Sequence, residues 1–344
     1  MRHYFYTLSW AVLCFVSSCQ SKKNTKETLP PQKAFYHWKS NLQWQKSDSL
    51  FLEKLKVQKL YIRYFDVVWD AARAKAIPTA KVQMAHQPSD SINCIPVVYI
   101  TVEAIRNTPD EAQAAALGQK IADKILAMHQ RPHLTEIQID CDWTASTQKR
   151  YFALLRAVRK QLSPKIQLSA TVRLHQVKFY EKQGVPPTDR ALIMCYNMAS
   201  PAAIATKNSI FDKELCENYL QNLEEYPLPT DFALPLFSWG VVFRQKHFAG
   251  LINQLSDEEL SENKAFTKKE DNWFEAKEAV FVRGIAVQAQ DRIRADAVNL
   301  ADLYAFEDFL KTKINTNLYT LSLYHYAPEV LSGFPPDSLQ KIWR

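Results

Sequence analysis

The segment Leu134-Thr-Glu-Ile-Gln-Ile-Asp-Cys-Asp-Trp-Thr144 holds the residues best placed to do chemistry. Ile137 and Ile139 alternate with Gln138, Asp140 and Asp142, the pattern of a largely buried strand whose acids share one face. Two carboxyls on one face of a short apolar strand are costly to bury. Unless paired or hydrogen-bonded, one of them takes up a proton. Such a pair suits proton transfer or the holding of ligand hydroxyl and amide groups. The alternative use is structural, with arginines or backbone N–H groups holding the acids to fix loops.

An acid pair of this kind needs a strand end that opens on a polar site, as the carboxyl ends of barrel strands do. Residues 34–38, 59–68, 95–101, 165–174, 190–197, 231–242 and 318–326 read as further strands. Amphipathic helices are expected over 49–59, from Thr108 to Met128, and over 146–162, 211–225 and 299–314. Thr108 followed by Pro109 and Glu111 predicts a capped helix start. Phe152, Leu155, Val158 and Leu162 form one apolar stripe of the helix over 146–162. Eight strands alternating with helices imply an α/β fold, a single (β/α)8 TIM barrel. An insertion between strands 7 and 8 covers about 245–298, with a polar part over 256–272 and a hairpin-like part over 279–294. An open doubly wound sheet has no reason to supply eight strands.

The expected strand ends carry Trp38, Asp66, Trp69, Glu103, Asp140, Asp142, Trp143, Arg173, His175, Tyr196, Asn197, Trp239 and His325. Acids among Trp and Tyr at one mouth point to a sugar site, where rings stack on pyranose faces and acids hold hydroxyls or move protons. Any single ring is as well explained as barrel filling. His175 and His325 read as bases, ligands or hydrogen-bonded walls.

Composition excludes several classes. Only 6 glycines occur and no Gly-rich phosphate loop is present, so nucleotide folds lose their main support. The net charge of +7 is spread without a Lys/Arg run, which argues against nucleic acid. Cys94, Cys141, Cys195 and Cys216 form no CxxC pair and lie at no zinc spacing. An exported domain could oxidise them, but Cys141 and Cys195 lie mid-strand and read as buried small apolar side chains, and neither a metal nor a cofactor is expected. A monomer is expected.

Arg2 and His3 precede an apolar run over 7–16, too short to span a bilayer and typical of a secretory leader. Val16-Ser17-Ser18-Cys19 resembles a bacterial lipobox, which implies removal of 1–18 and lipidation of Cys19. A plain signal peptide with a chance Cys is the alternative. Residues 19–33, polar and Lys-rich with Pro30-Pro31, read as a flexible tether to a barrel over 34–344. Gln20 is not the Asp that favours inner-membrane retention, so the expected site is the outer membrane, facing the periplasm or the outside.

Three motifs resemble glycoside hydrolase family 18, the chitinase-like barrels. Gln138-Ile-Asp-Cys-Asp-Trp-Thr144 is similar to the strand-four signature that ends Asp-x-Asp-x-Glu. Met194-Cys-Tyr-Asn197 is similar to the strand-six motif, and Ala233-Leu-Pro-Leu-Phe-Ser-Trp-Gly240 to the strand-seven region. The resemblance implies that Asp142 steadies a substrate acetamido group, that Asp140 supports Asp142, and that Tyr196 holds the acetamido carbonyl. That family uses substrate-assisted hydrolysis. The chain departs from the pattern where it matters most. The proton donor falls at Thr144, the first signature acid falls at Ile137, and the strand-eight Trp is absent, with Tyr324 and His325 nearby. Three readings stay open: a hydrolase whose acid is relocated to Glu103 or Asp66, a barrel that binds a glycan without cutting it, and a structural or partner-binding barrel filled by its insertion. The last predicts exposed apolar residues such as Trp273 and Phe274 on the insertion.

Overall fold

The computed structural model describes residues 30–344 other than 315 and 317. The expected leader, Cys19 and most of the tether lie outside these residues. Eight parallel strands close into a barrel, with β1 (Gln32–His37) bonded to both β8 (Thr320–Tyr324) and β2 (Lys59–Asp70). Between them run β3 (Asn93–Ile100), β4 (Glu136–Asp140), β5 (Gln167–Arg173), β6 (Arg190–Met194) and β7 (Thr230–Pro235). β1 starts at Gln32, so the last two residues assigned to the tether already belong to the barrel wall.

Alternation along each strand sorts side chains between two layers. Ile137, Ile139, Cys141 and Cys195 face outward and pack beneath the helices. Tyr36, Tyr61, Leu192 and Ala233 face inward. Helices Glu111–Met128 and Gln148–Gln161 pack so closely that a Cβ on Gly118 would lie 2.4 Å from the Leu154 carbonyl oxygen. The first of these helices is capped by Asp110, which accepts from the Gln113 N–H at 2.8 Å. Thr108, the cap expected from sequence, instead ends the preceding short helix by donating to the Ala104 carbonyl.

The barrel floor is polar. Lys59 lies 3.2 Å from Glu136, whose other oxygen accepts from Ser169 Oγ at 2.6 Å. Arg190 forks onto Asp231 at 2.8 and 2.7 Å. These pairs come from the first residues of their strands and close the end opposite the mouth.

Strand seven is shorter than expected over 231–242. It stops at Pro235, and Trp239–Arg244 starts a separate antiparallel sheet. That sheet also takes His247–Asn253, Phe266–Glu270, Trp273–Ala276 and Arg292–Asp296. Within the range read as hairpin-like, Val280–Val282 pairs with Ile285–Val287 as a separate two-stranded ribbon. Phe274 is fully buried, and Trp273 is half-buried beneath Arg292, whose guanidinium lies 4.5 Å from the ring centre. Neither of these two is exposed, and the exposed apolar surface of the insertion comes instead from Phe248, Phe281 and Ile285.

This sheet grips the segment after β6. Arg294 and Asp296 are both fully buried and pair at 2.7 Å. Arg294 also donates to the Ala203 and Pro201 carbonyls, while Asp296 accepts from the Ser209 N–H and hydroxyl. Removing one member of such a pair strands a charge away from water. Asp296→Ala is therefore expected to cost about 3–5 kcal/mol in equilibrium urea unfolding. Glu259→Gln, which breaks the exposed Arg283–Glu259 pair, is expected to cost about 1 kcal/mol or less. Equal costs would contradict this account of the junction.

Candidate active site

β4 carries Asp140 to the centre of the mouth. Its carboxyl is buried and accepts a 2.5 Å hydrogen bond from Thr171 Oγ1 on β5. Below it lies a hydrogen-bonded aromatic layer. Tyr36 and Tyr61 stack at 4.6 Å, and the Tyr36 hydroxyl donates to Gln138. Gln138 in turn donates to Ser169 Oγ at 3.2 Å. Burial pushes the Asp140 carboxyl up to about 7. The nearby Asp142 acts in the same direction, whereas the Thr171 hydrogen bond and the Arg173 and Arg63 charges oppose it.

Asp142 sits just past the end of β4. One of its oxygens lies 3.5 Å from Arg173 Nη1, and the other is buried with no hydrogen-bond partner. Arg173 also donates to the Asn197 carbonyl at 2.6 Å, linking the ends of β5 and β6. Asn197 adopts a left-handed conformation (φ 53°), and its side-chain oxygen is likewise buried without a partner. Two unpartnered oxygens near one arginine form a set that could accept from a ligand N–H or O–H.

Aromatic rings surround the acids. Trp38 meets Tyr99 at 6.1 Å and Tyr324 at 5.9 Å. Tyr196 stacks on Tyr324 at 5.1 Å and meets Phe237 edge-on. Trp239 packs on Phe237 at 5.2 Å and donates to Ser209 Oγ. Trp38, Tyr196, Asn197, Trp239, Arg173 and both acids therefore share one mouth.

Other candidates fall elsewhere. Trp143 is buried in the helix layer, stacked on Tyr151 at 5.3 Å and donating to the Gln183 carbonyl. β4 ends at Asp140, so the alternation no longer governs that ring. Trp69 lies on an extension of β2 that pairs with Lys75–Thr79. His175, by contrast, stays with the site: it lines a small recess with Arg173 and Tyr196, where partial desolvation and then the Arg173 charge lower its pKa. His325 lies past the end of β8, beside His37 and Lys39 and not the acids. Burial, then Lys39 and His37, pushes it down to about 4, which leaves it neutral at physiological pH.

The candidate proton donors are poorly placed for the role. Glu103 is exposed in the first turn of helix Val102–Asn107 and makes no ion pair among the described residues. Asp66 is buried, with both oxygens held by Arg63. Thr144 Oγ1 lies 3.0 Å from Ser146 Oγ and 3.3 Å from Thr147 Oγ1.

Sequence reasoning missed Arg63, Tyr99, Thr171 and Gln176. Gln176 bridges the Arg173 N–H and the Trp143 carbonyl, bracing the ends of β4 and β5. Tyr99 and Thr171 were open to the period-two rule. Arg63 and Asp66 were not, because a bulge between Arg63 and Phe65 sets residues three apart on one face. Among the described residues no group of three or more His, Cys, Asp or Glu is arranged to hold a metal ion.

No protein-family model matches the sequence, and no curated protein is similar to it in sequence. Solved structures do match. A chitinase from Chromobacterium violaceum superposes with a TM-score of 0.56 at 12% identity, over 91% of this chain and 99% of that one. The spore cortex-lytic enzyme SleL of Bacillus megaterium gives 0.58 at 14%, over 92% and 74%. The family 18 chitinase ChiB of Flavobacterium johnsoniae gives 0.52 at 11%, over 91% and 94%. The chain is thus a distant relative of these chitinase-like barrels in its fold.

The shifted carboxyl gives a signed pH dependence. Folded, Asp140 keeps its proton up to about pH 7, against an ordinary value of 3.8. The folded state holds the extra proton inside that window, so Asp140 costs stability progressively as pH rises through it. The stability of wild type relative to Asp140→Asn is therefore expected to fall between those values, by at most about 4 kcal/mol, and to level off above them. His325 works oppositely. Its value is lowered from 6.5 to about 4, so its neutral form adds stability as pH rises through that range. Urea unfolding of both proteins across pH isolates the Asp140 contribution, and a constant difference would contradict the buried neutral carboxyl.

Proposed function

We propose that the mouth binds a glycan bearing N-acetyl groups and that it does not cut that glycan by the substrate-assisted route. One observation carries the reading. Asp140 and Asp142 stand at the two inner positions of the chitinase-like signature, inside a ring of Trp38, Tyr99, Tyr196 and Tyr324, while Thr144 occupies the proton donor's position. Asp142 and Asn197 offer unpartnered acceptors for an acetamido N–H or a hydroxyl. The rings offer faces for the apolar side of a pyranose. A threonine hydroxyl cannot protonate a leaving oxygen at neutral pH, and both carboxyls considered as replacements are exposed or tied up.

Hydrolysis is the second reading, favoured by the proton that Asp140 retains near neutrality beside Asp142. We also propose, from the leader and lipobox-like residues alone, that 1–18 is removed. Lipidated Cys19 and the tether over 19–33 would then hold a monomeric barrel at the outer membrane, with the insertion over about 245–298 as part of that domain.

Two experiments test these readings. N-acetylglucosamine oligomers incubated with the chain are expected to bind and to return unchanged by mass spectrometry. Asp142→Asn is expected to weaken binding by roughly tenfold, about 1.4 kcal/mol. Products formed by wild type and lost in Asp142→Asn would establish a hydrolase instead, and Glu103→Gln would then be the first test of the relocated acid. Separately, Cys19→Ala is expected to move the protein from the membrane to the soluble fraction, and unchanged membrane recovery would rule out the anchor.

A further inference from the structure

The rim of the barrel holds a second recess, outside the axis. A cavity of about 710 Å³ opens between the segment after β1 and the segment after β8. Trp38 and Tyr324 face the mouth, whereas His37 and Tyr326, one residue before and two residues after them, face this cavity. Its volume lies in the range of small-ligand sites, roughly 300–1,000 Å³.

The lining decides the ligand class. Lys39 and Glu329 pair with each other across the two segments, so no free cation is left for an anionic ligand. Asp48 is also engaged. One oxygen accepts from the Tyr326 hydroxyl at 2.6 Å and the other from the Gln45 N–H at 2.7 Å, which ties this carboxylate to the cavity wall. The side-chain amides of Asn41 and Gln43 remain available, exposed and without partners among the described residues. Each amide both donates and accepts, as a hydroxyl requires. Leu42, Phe51 and the Tyr326 ring add apolar surface, and His37 adds a buried Nε2 with no hydrogen-bond partner. The Tyr326 ring is held rigid, stacked on Trp44 at 6.0 Å and edge-on to Phe35 at 5.5 Å.

We propose that this cavity is a second saccharide site, taking a neutral, hydroxyl-rich unit beside the axial mouth. The ligand class comes from this lining and not from the mouth, so the two readings can fail separately.

The test titrates the chain with an N-acetylglucosamine tetramer, by calorimetry and by backbone amide shifts in NMR. Amides of Asn41, Gln43 and Glu329 are expected to shift. Ser47→Trp fills the cavity from an exposed helix position, and Asn41→Ala/Gln43→Ala removes its amides. Both are expected to weaken this event by roughly tenfold or more while leaving any axial event unchanged. Tyr196→Ala is expected to do the reverse. Shifts confined to the mouth, or cavity binding indifferent to both variants, would overturn the proposal and leave the axial reading intact. Cavity shifts without any at the mouth would support it and count against the axial reading. Absence of all shifts at saturating probe would overturn both for this sugar.

Discussion

A carboxylic acid sealed inside a barrel must be neutral, paired or hydrogen-bonded, and Asp140 constrains everything around it. Its carboxyl is removed from water, hydrogen-bonded by Thr171, and placed near two guanidiniums and a second acid. The layers beneath serve this burial. Tyr36, Gln138 and Ser169 form a connected polar layer under the acid. Ion pairs from Lys59 to Glu136 and from Arg190 to Asp231 close the floor. The barrel interior is therefore a stack of mostly satisfied polar groups, the buried Ser322 hydroxyl on β8 being unpartnered, that opens on a partly unsatisfied layer. The unpartnered oxygens of Asp142 and Asn197 lie where a ligand would complete the stack.

Much of this was legible in the sequence, for definite reasons. Ile137 and Ile139 alternating with Gln138 and Asp140 fixed which face of β4 turns inward, because that strand stays regular to Asp140. The eight-strand count followed from equally regular apolar runs. Reading failed where regularity ends. Trp143 lies beyond the last ladder residue, and the chain has turned its ring under the helices. The bulge in β2 joins Arg63 to Asp66, which strict alternation would separate. Strand seven was read through Pro235 into Trp239, although the residues after Pro235 serve another sheet. His325 was drawn to the mouth by its position near a strand end, yet it lies one residue past that end, beside His37 and Lys39.

The fold and the chemistry part company at the strand ends. A barrel shared with chitinases and a spore cortex-lytic enzyme at 14% identity or less sets the mouth's position, not its reaction. Here Asp140 and Asp142 lie at the mouth, and Thr144, two residues further on, carries a hydroxyl that bonds to its own turn. The sheet between β7 and β8 adds a second constraint. Through Arg294, Asp296 and Ser209 it fixes the segment that follows Tyr196 and Asn197, so one wall of the mouth depends on a junction outside the barrel.

The most direct test of a mouth that holds an N-acetylated glycan without cutting it is a crystal structure of the chain soaked with an N-acetylglucosamine tetramer. An intact oligosaccharide is expected, with one acetamido group against Asp142 and Tyr196 and a ring face on Trp38. A cleaved sugar in the mouth, or a mouth left empty under saturating ligand, would contradict it.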